Sequence, residues 1–557
     1  MLPLDFNKIA ELFTARNLVY FVLTGLINAI LMILVSYKFF QAIQQCGYKG
    51  NEYFKWLSGR DNVYKTRLFM LSMLSVLGFM LTNMALSFIS HPIASYAGFA
   101  VYLLFLLVYL GGEKKRKDKI PLVITRRMLR LMLTFVLLTV LLSVSLIFAV
   151  NFVAIPLKNN LLSKFRYAIL CLCPVLVPYI VLLAYYVNEP FEKANNKKFV
   201  KKCTEKLESL SGVKKIGVTG SYGKTSVKEI LNVFLSEKYK VLATPKSFNT
   251  PLGICKTVKR LNDDYDYFIA EMGARRNGEI KELAEIVKPD IAVITGVTAQ
   301  HLETFGNIDN VIKTKYELIE NMKNGGIAVF SSDCEPTKKM YSKCGKEKYL
   351  AGVCNDNSLV YAEDIKITEK GTYFTIVSGG EKSAVHTKLL GRHNVSNICL
   401  AAAVAKLCGL SLGEIAAATE RLNPVKHRME LIEGENGVLT IDDSYNSNPE
   451  GSKTAVQTLS AFGGRKFVVT PGIVELGFAE NEINFKLGAM LAKVADYVIL
   501  VGRGRTLKIR EGLIYEGFKT ENVIMVKSLG EAKEELKKRV VSGDVVLFEN
   551  DLPDKYN

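Results

Sequence analysis

The stretch from Gly217 to Ser226, GVTGSYGKTS, holds residue types and a spacing that could do chemistry. Its glycines let the backbone pass close to a ligand, and Lys224-Thr225 closes it. Successive N–H groups in such a loop, continued by a helix N-terminus, point at anionic oxygens. Lys224 offers charge to β- and γ-phosphate oxygens, and Thr225 offers a hydroxyl to Mg²⁺. Gly220, Ser221, Tyr222, Gly223 and Ser226 complete the expected contacts to ATP. The loop is not a standard Walker A, which wants Gly where Val218 stands. A plain glycine turn with an exposed lysine is the alternative. The strand-like run Lys215–Val218 before it and the helix-like run Ser226–Leu235 after it favour the phosphate loop.

A chain of 557 residues has room for three or four domains to carry this loop. It is 49% hydrophobic yet has 72 Lys and Arg, because the first third carries long apolar runs and the rest reads as globular. Beside such runs, a net charge of +18 marks cytoplasmic loops or a surface facing anionic lipid more than a nucleic-acid site. No zinc spacing and no RNA-binding signature is present, so no nucleic-acid partner is expected. The ten cysteines show no C-x-x-C spacing, which fits a reducing compartment and small core residues.

Five apolar stretches reach the length of about 20 residues that a membrane crossing needs: Leu18–Tyr37, Leu68–Ile89, Ile93–Leu110, Leu131–Ile155 and Tyr167–Val187. The third follows the second after only Ser90-His91-Pro92. Basic residues crowd the connections after spans one and three and after span five, where Lys193, Lys197, Lys198, Lys201 and Lys202 stand. An N-out, C-in arrangement of five crossings puts all three basic connections inside. It also puts the phosphate loop in the cytoplasm of a multi-pass protein of the cell membrane, with lipid as a partner. Pro174 and Pro178 predict a kink in span five.

The expected fold class is therefore a membrane α-helical N-terminal region plus α/β. A P-loop parallel-sheet ATPase domain is followed by a smaller Rossmann-like α/β domain. The expected divisions are a transmembrane region over 1–190, a linker helix over 191–212, an ATP-binding domain over 213–423 and a C-terminal domain over 424–557. Strand-like and helix-like runs alternate from Lys214 onward, as in a helix-covered parallel sheet. Tyr361–Ser378 reads as a small antiparallel insert, and the turn at Asn423-Pro424 as a boundary.

Further motifs follow in order: SFNTPLG over 247–253, EMGA over 271–274, His301 after a strand, Lys315 on the next helix, GRHN over 391–394 with Asn397, Arg428, and DDSYNSNP over 442–449. Alone, each has a plain reading: a surface lysine at 315, a helix cap at His393-Asn394, a salt bridge at Arg428, packing at Tyr445. In this order they resemble the Mur ligase family, from about Lys214 to the C-terminus. The first, second and last of them are similar to the branch that adds D-alanyl-D-alanine to a UDP-muramoyl tripeptide.

The resemblance implies an ATP- and Mg²⁺-dependent ligase forming a carbon–nitrogen bond through an acyl phosphate. It joins a cell-wall precursor bearing a free carboxylate to an amino acid or dipeptide amine. It implies catalytic roles for Lys224, Lys315 and His301, and metal ligation by Thr225, Glu271, His301 and a carbamoylated Lys315. It places His393, Asn394 and Asn397 at adenine, Arg428 near phosphate and Asp443 at the ribose, with Asn249, Thr250, Tyr445 and Asn448 toward substrate and Asn446 shaping the last loop. Soluble members carry a UDP-gripping N-terminal domain where this chain has apolar spans, which points to a lipid-linked precursor. The stretch TPGIVELG over 470–477 also departs from the family pattern. A capsule-type poly-γ-glutamate synthase is the second enzyme reading. A membrane scaffold with a regulatory ATP-binding domain is the non-enzyme one.

Overall fold

The computed structural model describes residues 13–59, 63–86, 91–114, 121–154, 165–353, 357–434, 436–445, 448–502, 504 and 506–551. The chain forms two compact units, divided between Asn196 and Lys197.

Among the described residues of the N-terminal unit, four helical segments are long and apolar enough to cross a membrane: Ala15–Val35, Tyr64–Leu86, Arg126–Val153, and a fourth that begins at Ala168. The fifth expected span lies in the helix His91–Lys114, whose described apolar part, Ala97–Gly112, is shorter. Large apolar side chains point outward along these helices, among them Leu107, Val108, Leu133 and Leu137. That surface is costly in water and suits lipid. Inside, Gly25 brings its helix against Val140, where a Cβ would stand 3.2 Å from the Val140 carbonyl oxygen. Asn28 Nδ2 donates to Ser143 Oγ at 2.9 Å across the same helix pair.

Pro174 stands where the 3₁₀ segment Phe165–Leu172 gives way to the helix Cys173–Ser209. Pro178 and Pro190 lie within that helix. The segment expected as a linker helix over 191–212 is helical to Ser209, as the last part of that helix. Its Glu- and Lys-rich sequence, a good helix former, continues the same helix to Ser209.

Among its described residues, the second unit is built on two sheets. The first has nine strands: β1 Lys214–Thr219, β2 Val241–Ala243, β3 Tyr267–Glu271, β4 Ile291–Ile294, β5 Ile327–Ser331, β6 Lys348–Gly352, β7 Ser358–Thr368, β8 Gly371–Ser378 and β9 Glu381–Thr387. The order is β2-β3-β1-β4-β5-β6-β7-β8-β9. β1 to β7 pair in parallel and β7-β8-β9 antiparallel. The β-rich segment 361–378 is thus an extension of the main sheet rather than an insert of its own. Strands β3 and β4 are buried throughout, as expected of strands covered on both faces. Ile216, Leu231, Phe234 and Ile398 pack in one core cluster, and Phe268, Met272, Leu283 and Leu318 in another. The order reverses around β1, and this switch point is where α/β sheets open a crevice at their carboxyl ends.

The second sheet has six strands: β10 Glu430–Glu433, β11 Leu439–Asp443, β12 Lys466–Thr470, β13 Tyr497–Val501, β14 Val523–Val526 and β15 Val545–Glu549. Their order is β10-β11-β15-β12-β13-β14, parallel except for the β10-β11 hairpin. The helices Glu480–Leu491 and Leu507–Tyr515 touch backbone to backbone. A Cβ on Gly488 would come within 2.1 Å of the Ile509 carbonyl oxygen, and one on Gly512 within 2.1 Å of that of Phe485.

Candidate active site

The phosphate loop leaves β1 at Thr219 and enters the helix Lys224–Leu235. Its glycines are required by proximity. A Cβ on Gly220 would lie 1.9 Å from Thr295 Oγ1, and one on Gly223 2.6 Å from Asn397 Oδ1. The segment after β4 braces the loop: Ser221 N donates to Gly296 O at 2.8 Å, and Thr295 Oγ1 to Tyr222 O at 2.5 Å. Lys224 Nζ folds back onto the carbonyls of Gly220 (2.6 Å) and Ser221 (2.9 Å). Burial lowers its pKa to about 8, with Glu271 opposing the shift and Arg428 adding to it.

Glu271 ends β3 beside this loop and is almost wholly buried. Asn249 Nδ2 donates to its Oε1 at 3.0 Å, whereas its Oε2 makes no hydrogen bond within the protein. A buried carboxylate oxygen with free lone pairs, on the phosphate loop's own edge, fits a hard divalent cation. Thr225, buried in the first turn of the adjoining helix, supplies a second hard oxygen. These residues fit Mg²⁺.

The charge of Lys224 lowers the pKa of His301 and of Lys315, although burial is the larger cause in both. Lys315 is buried in the helix Ile308–Glu320, and its pKa lies well below the usual lysine range. His301 sits at φ +53°, and its Nδ1 lies 2.5 Å from Oε2 of Glu475, which partly offsets the effect of burial. Arg275 approaches the other oxygen of Glu475 at 3.7 Å. Glu475 belongs to the TPGIVELG stretch and itself has φ +65°.

A cavity of about 270 Å³ opens between the two sheet domains, lined by Tyr222, His393, Asn394, Asn397, Arg428 and Asp443 among others. His393 is no helix cap: Gly391 holds that position, and the buried His393 Nδ1 makes no hydrogen bond within the protein. Burial, then the Arg428 charge, lowers its pKa to about 4. Asp443 ends β11, and burial followed by the charge of Glu549 raises its pKa to about 7. The Arg428 guanidinium lies 4.6 Å over the Tyr445 ring, and the Tyr445 hydroxyl meets Ser247 Oγ at 3.2 Å.

Two residues expected toward substrate do local work. Thr250 and Asn448 are helix N-caps, accepting from Gly253 N (3.3 Å) and Gly451 N (3.1 Å). Each precedes a proline at the first helical position, a signal that was readable in the sequence. Asn446 lies outside the described residues. Sequence reasoning passed over Thr295, Glu475 and the buried Lys228.

The Mur ligase middle domain family matches residues 218–405, and the family described as Mur ligase, glutamate ligase domain matches residues 427–549. The UDP-N-acetylmuramoyl-tripeptide--D-alanyl-D-alanine ligase of Bacillus subtilis (strain 168) is 30% identical over 340 residues, which are 60% of this chain and 73% of that protein. The ligase of the same name from Escherichia coli (strain K12) is 34% identical over 52% of this chain and 64% of its own length. Among solved structures, the MurF ligase from Thermotoga maritima in complex with ADP superposes with a TM-score of 0.57 at 30% identity, over 64% of this chain and 80% of that one. By these matches the chain belongs to the Mur ligase family, and it is an ATP- and Mg²⁺-dependent enzyme that forms carbon–nitrogen bonds.

Proposed function

We propose that this enzyme is a MurF-like ligase that works at the cytoplasmic face of the cell membrane. It joins the carboxylate of a lipid-linked cell-wall precursor to the amine of an amino acid or a dipeptide such as D-alanyl-D-alanine. A carboxylate oxygen attacks the γ-phosphorus, and ADP departs with the electrons of the broken P–O bond. The amine nitrogen then attacks the acyl carbon, phosphate leaves with the C–O electrons, and the nitrogen gives up its proton to solvent. Two anions must meet in the first step, so positioned positive charge governs its rate.

Lys224 exchanges its two loop carbonyls for phosphate oxygens. Thr225, Glu271 and His301 hold Mg²⁺, which supplies further neutralising charge when bound. Lys315, favoured as a neutral amine by its burial, adds its lone pair to CO₂ and loses a proton, becoming an anion. His393, Asn394 and Asn397 take the adenine edge, Asp443 the ribose, and Gly220, Ser221, Tyr222, Gly223, Ser226 and Arg428 the phosphates. Asn249 and Tyr445 face the acceptor. Along the chain, apolar helices precede the ligase domains, and tethering by them raises the local concentration of a substrate that shares the bilayer.

The observation that carries this reading is the buried Glu271 oxygen that makes no hydrogen bond within the protein, at the edge of the phosphate loop. The test is a mass-spectrometric substrate screen on the full chain in nanodiscs, with lipid-linked, UDP-linked and free amino-acid acceptors. Amide product with the lipid-linked precursor is expected, together with transfer of labelled carboxyl oxygen into phosphate and loss of both in Lys224→Ala. Turnover of the UDP-linked tripeptide with no reaction of lipid-linked acceptors would end the membrane-substrate reading. Phosphate release unchanged in Lys224→Ala would end the site assignment.

A further inference from the structure

Lys228 has no part in the chemistry above, yet its side chain is wholly buried. It stands three residues after Thr225 on the helix that leaves the phosphate loop. Its ammonium has three hydrogens and three acceptors: Thr244 O at 2.7 Å, Lys246 O at 2.5 Å and Glu229 Oε1 at 3.0 Å. Glu271 Oε2 lies 3.6 Å away, beyond hydrogen-bond reach, so Lys228 faces the carboxylate by charge and leaves its lone pairs open.

The two carbonyls belong to one short loop, residues 244–249, which wraps Glu271. Thr244 Oγ1 accepts from Glu271 N at 3.0 Å, Asn249 Nδ2 donates to Glu271 Oε1 at 3.0 Å, and Gly273 N donates to Asn249 O at 3.0 Å. Lys246 sits at φ +51°, where a residue with a side chain is strained and persists only if its surroundings hold it. The bond from Lys228 to its carbonyl is such a restraint. A satisfied core lysine would need only acceptors. This one takes two of its three from the loop that orients the carboxylate.

We propose that Lys228 is a positioning residue that pins the 244–249 loop behind Glu271, so that the carboxylate is set for a divalent cation and Ser247 and Asn249 are set for the acceptor. This rests on the reading of Glu271 as a metal ligand. Partners of a ligating carboxylate are worth about 10–100-fold in metal affinity. The test uses Mn²⁺ alone as the probe, titrated by electron paramagnetic resonance into the full chain in detergent, with hydrogen exchange followed over the loop.

Lys228→Met is expected to weaken Mn²⁺ binding about tenfold or more and to speed exchange in residues 244–249. Lys228→Arg keeps the charge but misplaces the donors, and is expected to fall between the two. Asn249→Ala is expected to add little to Lys228→Met, because both act on one device. Unchanged or tighter Mn²⁺ binding in Lys228→Met, with Glu271→Gln weakened, would overturn the proposal. Unchanged binding in Glu271→Gln would instead overturn the metal reading itself. Should Lys228→Met fail to fold, Lys228→Arg decides: weaker binding supports the role and wild-type binding overturns it.

Discussion

Asp443→Asn gives the sharpest test of the electrostatics around the cavity. Burial and the charge of Glu549 push the Asp443 carboxyl up to about 7, against the Met429 N–H, which donates to it at 3.2 Å, and the Arg428 charge. A raised acid pKa means the folded state holds the proton more tightly than the unfolded one. The associated stability is complete below the unfolded value near pH 4 and is lost as pH rises through 7. Against that unfolded value the shift spans about three units, or about 4 kcal/mol at most. Asp443 is only partly buried by accessible surface, so solvent screening brings this to about 2 kcal/mol. Asparagine keeps the shape and the acceptor for Met429 N but cannot ionise. Calorimetric melts of the full chain in detergent should show variant and wild type alike near pH 4. The variant should gain steadily up to pH 8, where it is more stable by about 2 kcal/mol, or several degrees. A difference that stays flat from pH 4 to 8, or a variant that is weaker at pH 8, would refute the assigned environment.

Lys315→Met should lower kcat by about a hundredfold while leaving ADP binding intact, and wild-type activity should fall when CO₂ and bicarbonate are stripped from the assay. Glu475→Gln removes the charge that faces His301 and Arg275 across the two sheet domains. It should raise the acceptor KM about tenfold and speed proteolysis near Asn423-Pro424. In the N-terminal unit, Asn28→Leu should cost about 0.6 kcal/mol, the typical worth of an interhelical hydrogen bond in a membrane protein. The single tryptophan, Trp56, lies in that unit and reports its unfolding by fluorescence.

What the sequence made legible was local. Glycine spacing and the Lys-Thr pair announce the phosphate loop because a backbone turn needs those residues in succession. Central strands such as β3, β4 and β12 show as short apolar runs because burial on both faces leaves no alternation to obscure them. What escaped was long-range. Glu475 meets a histidine 174 positions before it, and no periodicity encodes that pairing. Lys228 looks like any lysine on a polar helix until the 244–249 loop closes over it. The helix Cys173–Ser209 hid the division between units, since charged and apolar residues favour helix almost equally and only the surroundings change.

The ligase unit also shows why burial alone does not mark a site. Glu549 and Asn484 are as buried as Glu271, yet both are engaged. Glu549 accepts from Ser452 and Thr470 hydroxyls at 2.5 Å, and Asn484 bonds both the N–H and the carbonyl of Ile473 at 2.9 Å. Among the described residues of this unit, the buried side-chain polar atoms without a hydrogen bond are Glu271 Oε2, His393 Nδ1 and Thr458 Oγ1. The first borders the phosphate loop. The other two meet at Gly391, where a Cβ would stand 2.9 Å from His393 Nδ1 and 2.8 Å from Thr458 Oγ1. Each deficit costs the free protein about 1–3 kcal/mol, a cost that selection removes from an ordinary core. Of the three, His393 lines the cavity between the sheet domains, Thr458 follows its lining residue Gln457, and Glu271 ends β3 beside the phosphate loop, as a site completed by its ligand requires. Thr458 thereby joins His393 as a residue whose replacement by an apolar isostere, Thr458→Val, should stabilise the free enzyme and weaken ATP binding together. If the variant gained stability with ATP affinity unchanged, the hydroxyl would belong to the core and not to the nucleotide.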